Sequence, residues 1–242
     1  ATLCAFGAGL LAGACTGLLH TKLKIPALLS GILTMITLWS VNLRIMGNRA
    51  NISILRMSTV YTPFEKLGLD KTCAMIAVGL ICTFAVITAL YWFFGTELGS
   101  AIRATGNNPH MVRAQGVNTD TMKILGLIIS NGLVSLSGAL IAQCQAFADI
   151  QMGTGSIVIG LASLIIGEVL FGGRGFYRRL VGIILGAVVY RIIIALVLKM
   201  GMPSNDLKLF TAVTVAVALS LPRFRQYLHT IRHSMQGGKT SC

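Results

Sequence analysis

The sequence is poor in negative charge: among 242 residues there are 7 Asp and Glu against 20 Lys and Arg, a formal net charge of +13. No paired carboxylates, no His cluster and no nucleophile with a base beside it can be picked out, so the chain is not expected to be an enzyme. The phosphate-cradling pattern G-x-x-x-x-G-K-[ST] is absent, which leaves nucleotide chemistry to some other chain. The six cysteines, Cys4, Cys15, Cys73, Cys82, Cys144 and Cys242, form no C-x-x-C pair and lie mainly in apolar runs. They read as small hydrophobes, with no zinc site or disulfide framework indicated. Aromatic and basic residues do not interleave as they would on a base-stacking surface, so the positive charge does not point to nucleic acid.

What the chain has in abundance is apolar sequence. Hydrophobic residues make up 55% and charged ones 11%, with a mean hydropathy of +0.79, far from the balance of a soluble domain. A spanning helix needs about 20 mainly apolar residues. Seven windows approach that length: 1 to 19, 26 to 46, 72 to 94, 124 to 147, 156 to 171, 180 to 198 and 207 to 221. The expected fold is therefore all-α, a polytopic transmembrane bundle of about seven spans forming a single domain over residues 1 to 242, with membrane lipid as its surroundings.

The loops between windows set an orientation. One alternating set carries Lys22 and Lys24; Arg103, Arg113 and Lys123; Arg174, Arg178 and Arg179; and Arg223, Arg225, Arg232 and Lys239. The other carries Arg49, Arg56, Lys66 and Lys71 in one long segment, no basic residue in 148 to 155, and Lys199. Short cytoplasmic loops are enriched in Lys and Arg, which places the first set inside and Ala1 outside. An odd number of spans then leads us to expect an upstream helix before Ala1. Residues 47 to 71 are too polar to span and too long for a tight turn, and are expected to be partly re-entrant or surface-lying. Gly9, Gly13 and Gly17, and again Gly182 and Gly186, lie four apart, a spacing that lets another backbone approach closely. That approach serves either internal packing or a dimer seam.

The longest polar stretch on the cytoplasmic side is TELGSAIRATGNNPHMVRAQGVNTDTMK, residues 96 to 123. Asn108 suits an N-cap, Pro109 the first helical position, and Gly116 the left-handed residue after a helix end. They outline a short helix from about Pro109 to Gln115, after which Asn118, Thr119 or Asp120 can cap the next span. As a docking feature, this helix would offer Met111 and Val112 to a hydrophobic cleft, with Arg103, His110 and Arg113 meeting acidic residues around it. As a linker, it would lie on the membrane surface with its basic residues on lipid phosphates. Spacing alone leaves both readings open.

The run LGSAIRATGNNPHMVRAQGVNTDTMKILGLIISNGLVSLSGALIAQ resembles the hallmark loop and following helix of ABC importer permeases of the branched-chain amino acid and ribose permease family. VIGLASLIIGEVLFGGRGFYRRLVGIILGAVV and KLKIPALLSGILTMITLWSVNLRIMG are similar to other regions of that family, so the likeness extends over nearly the whole chain from Lys22 onward. The resemblance implies a permease subunit that forms the translocation pathway for a small polar solute such as an amino acid. It implies a second permease subunit, identical or homologous, two cytoplasmic ATPase subunits that bind the ATP, an extracytoplasmic solute-binding protein, and a place in the bacterial cytoplasmic membrane. No cofactor of the chain's own is implied. Residues Asn108 to Gly116 would be the coupling helix seated in the ATPase.

Among the polar residues that fall within the apolar windows, four are candidates for the pathway: Asn131, Ser135, Glu168 and Arg191. Charges at such depth face a protein interior or a wet cavity. Arg191, about 16 Å along its window, either attracts a substrate carboxylate or packs against carbonyls and snorkels outward. Glu168 has Arg174, Arg178 and Arg179 close enough to neutralise it. Asn131 and Ser135 share a helix face and either line the conduit or hydrogen-bond to a neighbouring helix. A secondary transporter or channel without an ATPase remains the alternative, and it would need Glu168 or Arg191 for ion coupling.

Overall fold

A computed structural model describes residues 2–55, 59–63, 70–153, 156–171 and 175–199. Arg56, Lys66, Arg174, Arg223, Arg225, Arg232, Lys239, Cys242 and the window 207 to 221 lie outside the described residues. The elements, in chain order, are α1 (Thr2–Thr21), α2 (Ala27–Ile45), β1 (Asn51–Ser53), α3 (Lys71–Gly95), α4 (Glu97–Asn107), α5 (Pro109–Ala114), α6 (Thr119–Gln145), β2 (Phe147–Asp149), α7 (Ser156–Phe171) and α8 (Phe176–Lys199). Among the described residues, five helices are long and apolar enough to cross a bilayer: α1, α2, α3, α6 and α8. The expected fifth span, α7, is apolar but only 16 residues long. The chain is thus an all-α polytopic membrane protein in its main elements, and the seven-span count is not reproduced among the described residues.

The chain divides into two compact units, Ala1–Met152 and Gly153–Cys242. In the first, the glycine ladder of α1 lies against α6. A Cβ built on Gly9 would stand 2.5 Å from the Ser135 Cβ, one on Gly13 2.5 Å from the Leu127 carbonyl oxygen, and one on Gly17 3.1 Å from the Ile124 Cα. The partners fall in sequence as the glycines rise, so the two helices run antiparallel. Only residues without a side chain permit this approach, and the contact is made of many small dispersion gains between backbones. Helix α2 packs on another face of α1, where Thr16 Oγ1 lies 2.9 Å from both Ala12 O and Thr34 Oγ1. Both hydroxyls are buried, and sharing them between the helices avoids the cost of an unpaired polar group in hydrocarbon.

The stretch after α2 departs from the expectation of a purely helical fold. Residues Asn51–Ser53 pair antiparallel with Phe147–Asp149, with Asn51 opposite Asp149 and Ser53 opposite Phe147. The ladder is extended by Ile54 N donating to Ala146 O and Ile150 N donating to Ala50 O. A little further on, Val60 N donates to Gln143 Oε1 and the Tyr61 hydroxyl to Leu140 O, which fastens residues 59–63 to the last turns of α6. Tyr61 is 6% exposed, and burial, followed by the neighbouring Cys144 and Cys82, pushes its phenol above the usual range, so it remains the donor. The described parts of 47–71 are therefore tied to the end of α6 through a strand pair.

In the second unit, α7 and α8 form another antiparallel pair closed on small residues. The Gly186 Cα faces Ser163 and Gly167, and Gly182 faces Gly167, with backbones close enough that any Cβ would collide. Ala162, Ile166 and Tyr190 make the buried core between them. Both sets of glycines spaced by four are used for packing inside a unit.

Candidate functional site

The segment from Thr96 to Asp120 is built from successive caps. The Thr96 hydroxyl donates to Phe93 O at the end of α3 and accepts from Gly99 N, so one residue closes α3 and opens α4. Gly99 is required here: a Cβ on it would lie 2.5 Å from the Phe94 Cα, so any side chain would force α3 and α4 apart. Helix α4 is amphipathic, with Glu97 in its first turn beside the positive end of the helix dipole. Ile102 reaches across to Gly126 and seats α4 on α6.

Helix α5 follows after a single residue. Asn108 Oδ1 accepts from His110 N at 3.1 Å and Met111 N at 3.2 Å, and Pro109 occupies the first helical position. At the other end, Gly116 N donates to Arg113 O and Val117 N to Val112 O, with Gly116 at φ +83°. This pair of bonds is a Schellman closure, for which a glycine in the left-handed region is the favoured residue. Asn118 Oδ1 then accepts from Asp120 N and Thr121 N to start α6. The Asn-Pro start and the Gly stop are as the sequence indicates, with the helix itself ending at Ala114.

The two faces of α5 differ from the sequence expectation in one respect. Met111 is 49% exposed and His110 is exposed, but Val112 is 1% exposed. Val112 therefore cannot enter a cleft on another protein; its side chain is part of the packing that holds α5 in place. Arg113 is also engaged within the chain: its Nε donates to Thr119 Oγ1 at 2.8 Å and a terminal nitrogen to Asp120 Oδ1 at 3.3 Å. Arg103 lies on α4 and is exposed. Sequence reading missed α4 as a separate helix and Thr119 as the partner of Arg113. The signal for α4 was Thr96 followed three residues on by Gly99; nothing in the sequence marked Thr119.

Of the four residues in the apolar windows, Asn131 and Ser135 lie on the face of α6 that meets α1. Ser135 Oγ donates to Ala5 O at 2.5 Å across the helix pair, while Asn131 Nδ2 donates to Leu127 O within its own helix. Glu168 accepts from Arg179 at 2.6 Å. Because α8 starts at Phe176, before the apolar window, Arg191 lies about 22 Å along the helix. It is exposed, on an apolar stripe of α8 with Ile184, Ala187, Val188, Ile192 and Ala195. Among the described residues no group of His, Cys, Asp and Glu is suited to hold a metal ion.

A family model described as branched-chain amino acid transport system, permease component, matches residues 1–218. Over 220 residues the chain is 41% identical to a tyrosine transport system permease protein of Clostridioides difficile (strain R20291), covering 91% of this chain and 72% of that protein. It is 33% identical over 217 residues to an uncharacterized protein of Rickettsia prowazekii (strain Madrid E), covering 88% and 75%. It is 27% identical over 202 residues to the autoinducer 2 import system permease protein LsrC of Yersinia pestis (strain Pestoides F), spanning 82% of this chain and 55% of that one. No solved structure matches the chain. The capped helix between α4 and α6, the small-residue helix pairs and a family match over nine-tenths of the sequence agree: the chain belongs to the branched-chain amino acid permease family of ABC importers and is a multi-pass transport permease.

Proposed function

We propose that α5 is the surface through which a cytoplasmic ATPase drives this permease, and that the solute is a small polar molecule of the amino-acid class. The observation that carries the coupling role is the double closure of α5. Six residues are capped at both ends, by Asn108, which also closes α4, and by the Gly116 turn, are held from beneath by Val112, and turn Met111 and His110 outward. A connector needs no such construction, whereas a rigid knob with one apolar anchor suits a pocket on another protein. Arg103, from α4, adds positive charge near this surface. The substrate class is supported by the family description and by the tyrosine permease at 41% identity. On this reading the full machine contains a second permease subunit, two ATPase subunits and an external solute-binding protein, in the bacterial cytoplasmic membrane. Arg191, the charge on an exposed apolar stripe of α8, is our candidate for drawing a substrate carboxylate along the pathway.

Reconstitution with the ATPase and binding protein tests the coupling. Met111→Glu is expected to abolish ATP-dependent uptake while the protein still inserts, and Glu168→Gln to leave uptake within about twofold, since an exposed ion pair contributes little. Uptake that survives Met111→Glu, or that continues without ATPase and stops in Glu168→Gln, would favour an ion-coupled transporter instead.

A further inference from the structure

Among the described residues, the side-chain hydrogen bonds of Arg113 both go to α6. Its guanidinium spans the Thr119 hydroxyl, 1% exposed, and the Asp120 carboxylate, both in the first turn of α6. From there α6 is locked to α1 by backbone contacts at Gly9, Gly13 and Gly17 and by the Ser135 to Ala5 hydrogen bond. The chain between α5 and α6 is the four residues 115–118, in which Gly116, in the left-handed region between the closure of α5 and the Asn118 cap, is the point best suited to act as a hinge. A planar fork that donates from two of its nitrogens to two successive residues restricts that hinge as a single point charge would not.

We infer that Arg113 is a positioning residue that makes α5, α6 and α1 move as one body, so that a displacement of α5 is delivered to the α1–α6 pair instead of being absorbed at Gly116. This rests on the reading of α5 as the ATPase contact, and it assigns Arg113 to the permease side of that contact. The Arg113–Asp120 pair is exposed and adds little to folding, so its role lies in stiffness.

The test uses the full chain with its ATPase partner, the six native cysteines replaced by Ser, and spin labels on Lys22→Cys and Gln115→Cys, two exposed positions beside α1 and at the end of α5. The parent should give one narrow distance distribution that keeps its width when ATPase and ATP are added. Arg113→Ala should broaden it several-fold with the ATPase retained at parental stoichiometry, and Arg113→Lys should fall between. Should Arg113→Ala insert poorly, Asp120→Asn, which keeps the first turn of α6 intact, should broaden the distribution in the same sense. The inference is overturned if the variants stay as narrow as the parent, if the parent is already broad, or if Arg113→Ala releases the ATPase, which would make Arg113 a docking residue. Failure of the parent to retain any ATPase would instead remove the coupling reading, while the label widths would still decide whether the tie exists.

Discussion

At Gly13 a hydrogen atom occupies the place where a methyl group would lie 2.5 Å from a backbone carbonyl oxygen and 2.7 Å from a Cα of the facing helix. Backbone cannot give way as a side-chain tip can, so Gly13→Val should separate α1 from α6 at a cost of about 1–3 kcal/mol. Gly7, six residues earlier on the same helix, has nothing within 4 Å of its would-be Cβ. The thermal midpoint of the purified protein in detergent should therefore fall by several degrees for Gly13→Val and stay unchanged for Gly7→Ala; equal effects would place the seam elsewhere. Asn108 is the second residue with a defined task, since one amide oxygen receives two of the orphan N–H groups of α5. Asn108→Ala should cost about 1 kcal/mol of local helix stability. Amide exchange in Met111 to Ala114 should then quicken by about fivefold, with α6 unaffected.

Element by element, legibility followed the length of the signal. Long apolar runs and their caps identified α1, α2, α3, α6 and α8, although α6 and α8 begin four to five residues before their windows because Asn118 and the polar turns of α8 carry the helix outward from the apolar part. The caps of α5 could be read because Asn-Pro and Gly each act through local geometry. Its orientation could not: which of Met111 and Val112 faces inward depends on how α5 sits on α6, a tertiary fact with no local signature. The strands β1 and β2 were missed for the same reason, since three residues each are too few to show a period of two and their partners lie 94 to 98 residues apart. The neighbouring tie between residues 59–63 and α6 makes its own prediction. Gln143→Ala removes the acceptor of Val60 N and should loosen residues 59–63, seen as faster proteolysis of that segment, without disturbing α5 at the opposite end of α6.

Across the whole molecule, the polar chemistry among the described residues is concentrated at helix ends and in loops, while the long helices meet through glycine, serine and threonine. Such a body offers packed surfaces that can be pushed, which fits its membership of a permease family. On the proposed function, the Lys and Arg bias of the loops would put α4 and α5 on the side of the membrane that holds the nucleotide-hydrolysing partner. Purification of this chain from its native membrane in mild detergent, beside the Met111→Glu variant, tests the coupling role most directly. An ATPase subunit should accompany the parent at equal stoichiometry and be lost from the variant; a chain that purifies alone and still mediates flux in liposomes would contradict it.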